Sequence, residues 1–278
     1  MSGEHPIKAL CAVLEVSRSG YYAWQGRPAS ARATAEIALR VKIRALHAAS
    51  RGTYGSPRIK IDLERAGKPV GRHRIARVMR AAGLQGRTKR RYRVVTTDSR
   101  HGEPIAPNQL ALTPAPIRPN QVWVTDITYV PTDEGWLYLA GVLDLFSRRL
   151  IGWAMGSSLA TALPLAALLM AVRQRNPPPG LLHHSDRGVQ YASKDYRSCL
   201  EANRFIASMS RKANCYDNAT MEAFWSTLKN ELIYRRHFTT RAEATSAIFD
   251  YIETFYNRRR IHSSLGYQTP LDYESNLN

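Results

Sequence analysis

Three carboxylates stand out by their settings. Asp126 interrupts a hydrophobic, β-rich run, WVTDITYV. A carboxylate there costs free energy unless it lies at an edge, is paired or binds a cation. Asp186 falls where a short apolar run ends, in HHSDRG, just before a glycine that releases the chain. Glu222 lies in the first turn of a helix whose start is marked by Asp217-Asn218. Carboxylates packed at about 4 Å repel by roughly 4 kcal/mol at an effective dielectric of 20, so a convergent trio needs cations. Mg²⁺ is the expected ion, because it takes hard oxygen ligands and shares its shell with phosphate oxygens. Two such ions roughly 3.5 to 4 Å apart can activate an attacking water or 3′-OH and stabilise the leaving oxygen of an in-line displacement. A lone Asp or Glu is more often a cap or a surface charge, and Asp144, Asp133 and Glu134 are assigned to turns on that ground.

The elements that must hold this trio begin after Pro119. QVWVTDITYV, LYLAGVLDLF and RRLIGWAMGS are three β-rich runs separated by turn residues, and they read as successive antiparallel strands. Helix is expected over Thr161 to Arg175 and Ser193 to Ala202, with strands at Leu181 to Ser185 and Arg204 to Ser210. Two further helices are expected, from about Asn218 to Tyr234 and from Arg241 to Tyr256. Three antiparallel strands followed by alternating helices and strands imply an α/β fold, a mixed sheet flanked by helices.

Upstream the texture is basic and helical. Residues 1 to 120 hold 23 Lys+Arg against 7 Asp+Glu, whereas residues 121 to 278 hold 17 against 15, so nearly all of the net charge of +18 sits in the first part. That asymmetry suits a module that holds nucleic acid beside one that does chemistry, and it is also what a merely soluble basic surface would show. Residues 1–32 read as an N-terminal helical segment in which Ser17 and Gly20 punctuate the chain before an aromatic cluster. Residues 33–86 read as three short basic helices, the second starting at an N-cap Ser56 followed by Pro57. Their tight glycine-containing turns fit a helix-turn-helix-like module or an ordinary helical bundle with solvated arginines. Residues 87–119 form a basic, proline-rich linker, in which Arg87, Lys89, Arg90, Arg91 and Arg93, with Tyr92 among them, are candidate DNA contacts.

Other chemistries are set aside by composition. The cysteines Cys11, Cys199 and Cys215 match no zinc spacing and no disulfide framework, so no zinc is expected and a reducing, cytoplasmic setting is. The longest apolar run, Ala162 to Val172, is too short to span a bilayer, and no leader pattern opens the chain, so neither membrane nor secretion is expected.

Taken together, WVTDITYV, LDLFSRRLIGW, HHSDRGVQY and SRKANCYDNATMEAFWSTLKNE resemble the second-reading-frame (OrfB) transposases of the insertion-sequence-three family. These belong to the DDE, or retroviral-integrase, superfamily, whose catalytic core has a ribonuclease H-like fold. The 35 residues between Asp186 and Glu222 match the interval of the family's acidic triad. NRRRIHSSLGYQTP near the C-terminus continues the likeness, and upstream RGTYGSPRIKIDLERAG with RHRIARVMRAAGL resembles the family's helix-turn-helix-like segment. The resemblance implies a catalytic domain over residues 120–278, with Asp126, Asp186 and Glu222 holding two Mg²⁺ ions for which Mn²⁺ substitutes. Lys229 matches a position that the family fills with a basic residue, and it would share a helix face with Glu222, Trp225 and Ser226 to hold a DNA phosphate. His183, His184, Asn214 and Asp217 lie in matching motifs, as supporting or substrate-contacting residues or simply as parts of turns. Implied partners are double-stranded DNA at element ends and target, further copies of the chain in a synaptic complex, and an upstream-frame (OrfA-type) partner or fusion. The chain would be cytoplasmic, on the nucleoid when bound to DNA. Two other readings fit parts of the sequence: a ribonuclease H-like nuclease that does not join strands, and a non-catalytic DNA-binding regulator of transposition.

Overall fold

A computed structural model describes residues 6–28, 30–87, 103–211 and 218–276. Helices α1 (Ile7–Val13) and α2 (Arg18–Gln25) come first. The Ser17 hydroxyl caps α2 by accepting from the Gly20 N–H at 3.0 Å. The expected helical element is present, with Ser17 marking its start and Gly20 inside α2 rather than breaking the chain. Gly20 sits in the capped first turn, where a Cβ would lie 2.8 Å from Ser17 Oγ. Ser30 caps α3 (Ala31–Ala49), which α4 (Ser56–Arg65) and α5 (Arg72–Ala81) follow. The expected cap at Ser56 moves back by one residue. Gly55 takes the extended N-cap conformation, and Pro57 falls in the first turn, where its missing N–H costs nothing. These three helices bury Ile43, Ile59, Leu63 and Ile75 among them and leave Arg72, His73, Arg74, Arg77 and Arg80 exposed along α5.

Strands β1 (Val122–Thr132), β2 (Gly135–Asp144) and β3 (Leu150–Gly156) pair antiparallel in sequence order. Helix α6 (Ala162–Arg175) crosses over to β4 (Leu182–Ser185), which lies parallel to β1. The short α7 (Val189–Ala192) and α8 (Lys194–Ala202) then lead to β5 (Ile206–Met209), parallel to β4. The five-stranded order is β3-β2-β1-β4-β5, the mixed sheet expected of the sequence. Strand β5 starts two residues later than expected because Arg204 and Phe205 still close α8: Arg204 takes φ 57°, and both N–H groups donate to α8 carbonyls at 2.9 Å. Helix α9 (Ala219–Glu231) is followed by α10 (Arg241–Asp250), a π-helical turn over Tyr251–Tyr256 and α11 (Pro270–Ser275).

The two-residue period of the strands sorts side chains onto two cores. Trp123, Ala140, Val142 and Ile151 face α6 and α8, while Val124, Val130, Leu139 and Leu143 face α9 and α10. One glycine on each face lets a helix come close. A Cβ on Gly152 would lie 2.3 Å from the Ala167 carbonyl of α6, and a Cβ on Gly141 would lie 2.7 Å from Met221 Cε of α9.

The α3–α5 unit packs on the C-terminal part of the chain, and its buried side chains are continuous with the α9–α10 core. Tyr54 OH donates to the Arg259 carbonyl at 3.2 Å and accepts from the Ile261 N–H at 2.8 Å. Arg51 pairs with Asp250 at 2.9 Å. Arg260, itself buried, donates from Nε and Nη2 to Glu231 at the end of α9, and Tyr251 OH donates to the same carboxylate at 2.8 Å. Among the described residues no helix is long and apolar enough to cross a membrane.

Candidate active site

Register brings the first two carboxylates together. Val124 of β1 lies opposite His184 of β4 in a parallel pair, so Asp126, two residues on, and Asp186, the first residue after β4, come together at this end of the strands, and the Asp186 charge acts on the Asp126 carboxyl. Strand β4 ends at Ser185, and Asp186 Oδ1 accepts from the Gly188 N–H at 2.9 Å, which turns the chain out of the sheet. On its other side Asp126 faces Gly141 of β2. A Cβ at 141 would lie 2.9 Å from Trp225 Cη2, so the missing side chain makes room for α9. In that room the Trp225 indole N–H donates to Asp126 Oδ2 at 3.0 Å.

Helix α9 supplies the remaining groups. Glu222 stands exposed in its first turn, Trp225 is buried one turn on, and Lys229 follows a turn later with Nζ 4.8 Å from the centroid of the Tyr129 ring. At the N-cap, Asn218 Nδ2 donates to the Thr125 carbonyl at 3.2 Å, while its buried Oδ1 has no donor among the described residues.

The electrostatics follow from this convergence. Burial, then the Asp186 charge, and in smaller part Glu222, push the Asp126 carboxyl up to about 8, against the lowering effect of the Ile127 N–H and the Trp225 indole. Desolvation raises Glu222. Burial lowers Lys229, and Asp126 opposes that shift. Asp126 thus senses both other acids, Asp186 more strongly. Among the described residues no group of three His, Cys, Asp or Glu side chains is arranged to hold a metal ion.

The comparisons with known proteins bear on what such a site serves. Residues 34–92 match the HTH-like domain family, and residues 116–215 and 222–277 match two integrase core domain families. The chain is 40% identical to the transposase InsF for insertion sequence IS3A of Escherichia coli over 280 residues, covering 98% of this chain and 95% of the relative. The chain belongs to the IS3 family of transposases. It is also 49% identical to the insertion element IS600 uncharacterized 31 kDa protein of Shigella sonnei, covering 94% of this chain and 96% of that one. With the transposase for insertion sequence element IS904 of Lactococcus lactis it shares 42% identity, covering 89% of this chain and 97% of that one. As an IS3-family transposase it is a DDE-type enzyme with an integrase-type, ribonuclease H-like core, and it serves DNA transposition.

Several motif residues of this IS3-family chain turn out to brace the core. Burial takes His183 down to about 3, and its Nε2 lies 3.2 Å from Tyr196 OH. His184 is wedged between the Ser208 and Ser210 hydroxyls at 2.8 and 3.0 Å. Both rings are buried, so they brace β4 against α8 and β5. Asp144 organises the β2–β3 turn by accepting from the Phe146 and Ser147 N–H groups, and Asp133 and Glu134 form the β1–β2 turn, as expected. Arg87 is exposed, and its N–H donates to the Thr53 carbonyl at 3.1 Å. Lys89, Arg90, Arg91, Arg93, Asn214 and Asp217 lie outside the described residues. Sequence reasoning did not give Gly141 or the Trp225 indole a part in the site. The available signal was an isolated glycine inside a strand pattern, the mark of a close approach.

Proposed function

We propose that this transposase cleaves DNA at the ends of its element and transfers the freed 3′-OH strand to another phosphodiester, with Asp126, Asp186 and Glu222 as the catalytic, cation-holding acids. The observation that carries this reading is the placing of Asp126 within β1 next to the end of β4, which Asp186 follows, so that burial and the Asp186 charge raise the Asp126 carboxyl. Two carboxylates so placed do not both ionise cheaply without a cation. The donor set fits divalent cations, since it consists of hard carboxylate oxygens with the buried, unpartnered Oδ1 of Asn218 nearby. Two Mg²⁺ ions, or Mn²⁺ in their place, would supply activation of the attacking oxygen and stabilisation of the leaving oxygen in an in-line displacement. The site needs no zinc.

The chain's own residues do the rest. Asp126 lies within β1, and Asp186 directly follows β4, the parallel strand beside it, where its hydrogen bond from the Gly188 N–H holds the turn. Glu222 sits on a different element and, being exposed, completes the set from the side open to DNA. Lys229, on the same helix, holds a phosphate beside the acids, since its ammonium neutralises a backbone oxygen. Residues 33–86 form the DNA-binding module, presenting Arg72, Arg74, Arg77 and Arg80 to the phosphates of double-stranded DNA. The linker 87–119 adds Arg87, Lys89, Arg90, Arg91 and Arg93, residues 1–32 form a separate helical segment, and 120–278 is the catalytic unit. Such a chain would work in the cytoplasm on nucleoid DNA, as several copies that synapse two element ends, with an upstream-frame (OrfA-type) partner or fusion completing end recognition.

The test is strand cleavage and joining on labelled DNA carrying the element's own ends, with Mg²⁺ or with EDTA. Metal-dependent joined product is expected. Cleavage without joining would mean a nuclease, and binding without cleavage, even with an upstream-frame partner present, would mean a regulator.

A further inference from the structure

The Trp225 indole N–H donates to Asp126 Oδ2, with 3.0 Å between Nε1 and Oδ2. An indole N–H is a donor only and cannot rotate away once its ring is packed. This ring is packed: it is 5% exposed, and its neighbour Phe224 lies 4.8 Å away between ring centroids. On the strand side the fit depends on a missing side chain, because Gly141 is the register partner of Asp126 and a Cβ there would fall 2.9 Å from Trp225 Cη2. The donor, the acceptor and the gap that lets them meet thus come from α9, β1 and β2. A carboxylate pinned at one oxygen has its rotation about the Cβ–Cγ bond fixed, so the directions of its remaining lone pairs are set before any ligand arrives. A carboxylate free to spin would lose that freedom on every binding event.

We propose that Trp225 is a positioning residue that orients Asp126 for cation binding, with Gly141 as the gap that makes the contact possible. This rests on the reading of Asp126 as a cation ligand. It assigns α9 a second task beyond carrying Glu222 and Lys229: the helix sets the aim of an acid on another element. Losing a partner that orients a metal ligand lowers metal affinity by about ten- to a hundredfold.

The experiment uses the full chain and measures Mn²⁺ affinity by calorimetry for the wild type, Trp225→Phe, Gly141→Ala and Asp126→Asn, with the thermal midpoint of each recorded. Trp225→Phe keeps an aromatic ring and loses the N–H, whereas Gly141→Ala keeps the N–H and displaces the ring. Both are expected to weaken Mn²⁺ binding by about ten- to a hundredfold while remaining folded. The apparent Mg²⁺ requirement of strand cleavage should rise in parallel, with the KM for DNA unchanged. A readout free of core variants guards against misfolding. In the ¹⁵N-tryptophan-labelled wild type, one of five indole N–H signals should broaden first on adding Mn²⁺, and Asp126→Asn should abolish that selectivity. Wild-type Mn²⁺ affinity in both folded variants, or broadening that favours no indole, would overturn the role of Trp225 while leaving the acidic site intact. Equal Mn²⁺ binding by wild type and Asp126→Asn would instead overturn the cation reading of Asp126, and this inference with it.

Discussion

Two acidic corners of the same sheet are built on opposite plans. At the β2–β3 corner, Asp144 is fully buried, yet its oxygens accept from the Asn120 N–H at 2.7 Å, the Phe146 N–H at 3.0 Å and the Ser147 N–H at 3.1 Å. Its acidic neighbour Glu274 is paired with Arg149 and Arg175, each at 2.8 Å. Burial pushes Glu274 up, but hydrogen bonds from Arg175 and Ser147 carry it below the usual carboxylate range. At the β1–β4–α9 corner, Asp126 has, among the described residues, the Trp225 indole and the Ile127 N–H for donors and Asp186 and Glu222 for charged neighbours, and its charge acts on Lys229. Burial raises both Asp144 and Asp126, but at Asp144 the next influence is a backbone donor that opposes the rise, whereas at Asp126 it is a second acid, Asp186, that adds to it.

The comparison breaks most visibly in activity. Alanine at Asp126, Asp186 or Glu222 should cut strand cleavage by on the order of a hundredfold or more, as removal of preorganised electrostatic groups does. DNA binding, read by gel shift, should be largely unchanged. Asp144→Ala should do the reverse. Each buried N–H it orphans costs about 1–3 kcal/mol, which lowers the melting temperature by several degrees while cleavage per folded molecule stays at the wild-type level. A cleavage defect in folded Asp144→Ala would erase the distinction between the corners.

A pH series sharpens the contrast. The Asp126 carboxyl titrates at about 8 in the folded chain, against about 4 when unfolded. Because its folded value is the higher one, the stability it contributes is complete below about pH 4 and is lost as pH rises through about 8. Without divalent cations, the melting temperature of the wild type should therefore fall relative to Asp126→Asn between about pH 5 and 9. Added Mg²⁺ should raise the wild-type midpoint more at the alkaline end, since cation and proton compete for the same oxygens. Equal Mg²⁺ stabilisation across that range would argue against shared occupancy. The smallest effect belongs to Lys229. Lys229→Ala should weaken DNA binding evenly across sequences and reduce the salt slope by about one, as loss of a single phosphate contact does.

Much of this was legible in the sequence because it depends on local rules. The β-rich run VWVTDITYV marked β1 with Asp126 inside it, and Asp217-Asn218 marked the start of α9 with Glu222 in its first turn. What stayed hidden was non-local. The placing of Asp126 beside Asp186 depends on a parallel register across some 60 residues of chain, including the α6 crossover, and periodicity carries no register information. Gly141 drew no reading of its own until α9 packed over it, and of the readings left open for His183 and His184, supporting, substrate-contacting or part of a turn, their buried rings favour support of the core. The N-terminal segment is helical as expected, and only the part played by Gly20 differs. A serine and a glycine three residues apart can punctuate a loop or cap a helix, and the choice at Ser17 and Gly20 is made by one hydrogen bond.

The central claim, that acids on three separate elements share divalent cations, is tested most directly by letting Fe²⁺ occupy the site and generating hydroxyl radicals there with ascorbate and peroxide. Fragment masses should place the backbone cuts around Asp126, Asp186 and Glu222 together, all three fading in step as Mg²⁺ is added. Cuts confined to one of the three segments, or cuts that Mg²⁺ leaves untouched, would contradict the account.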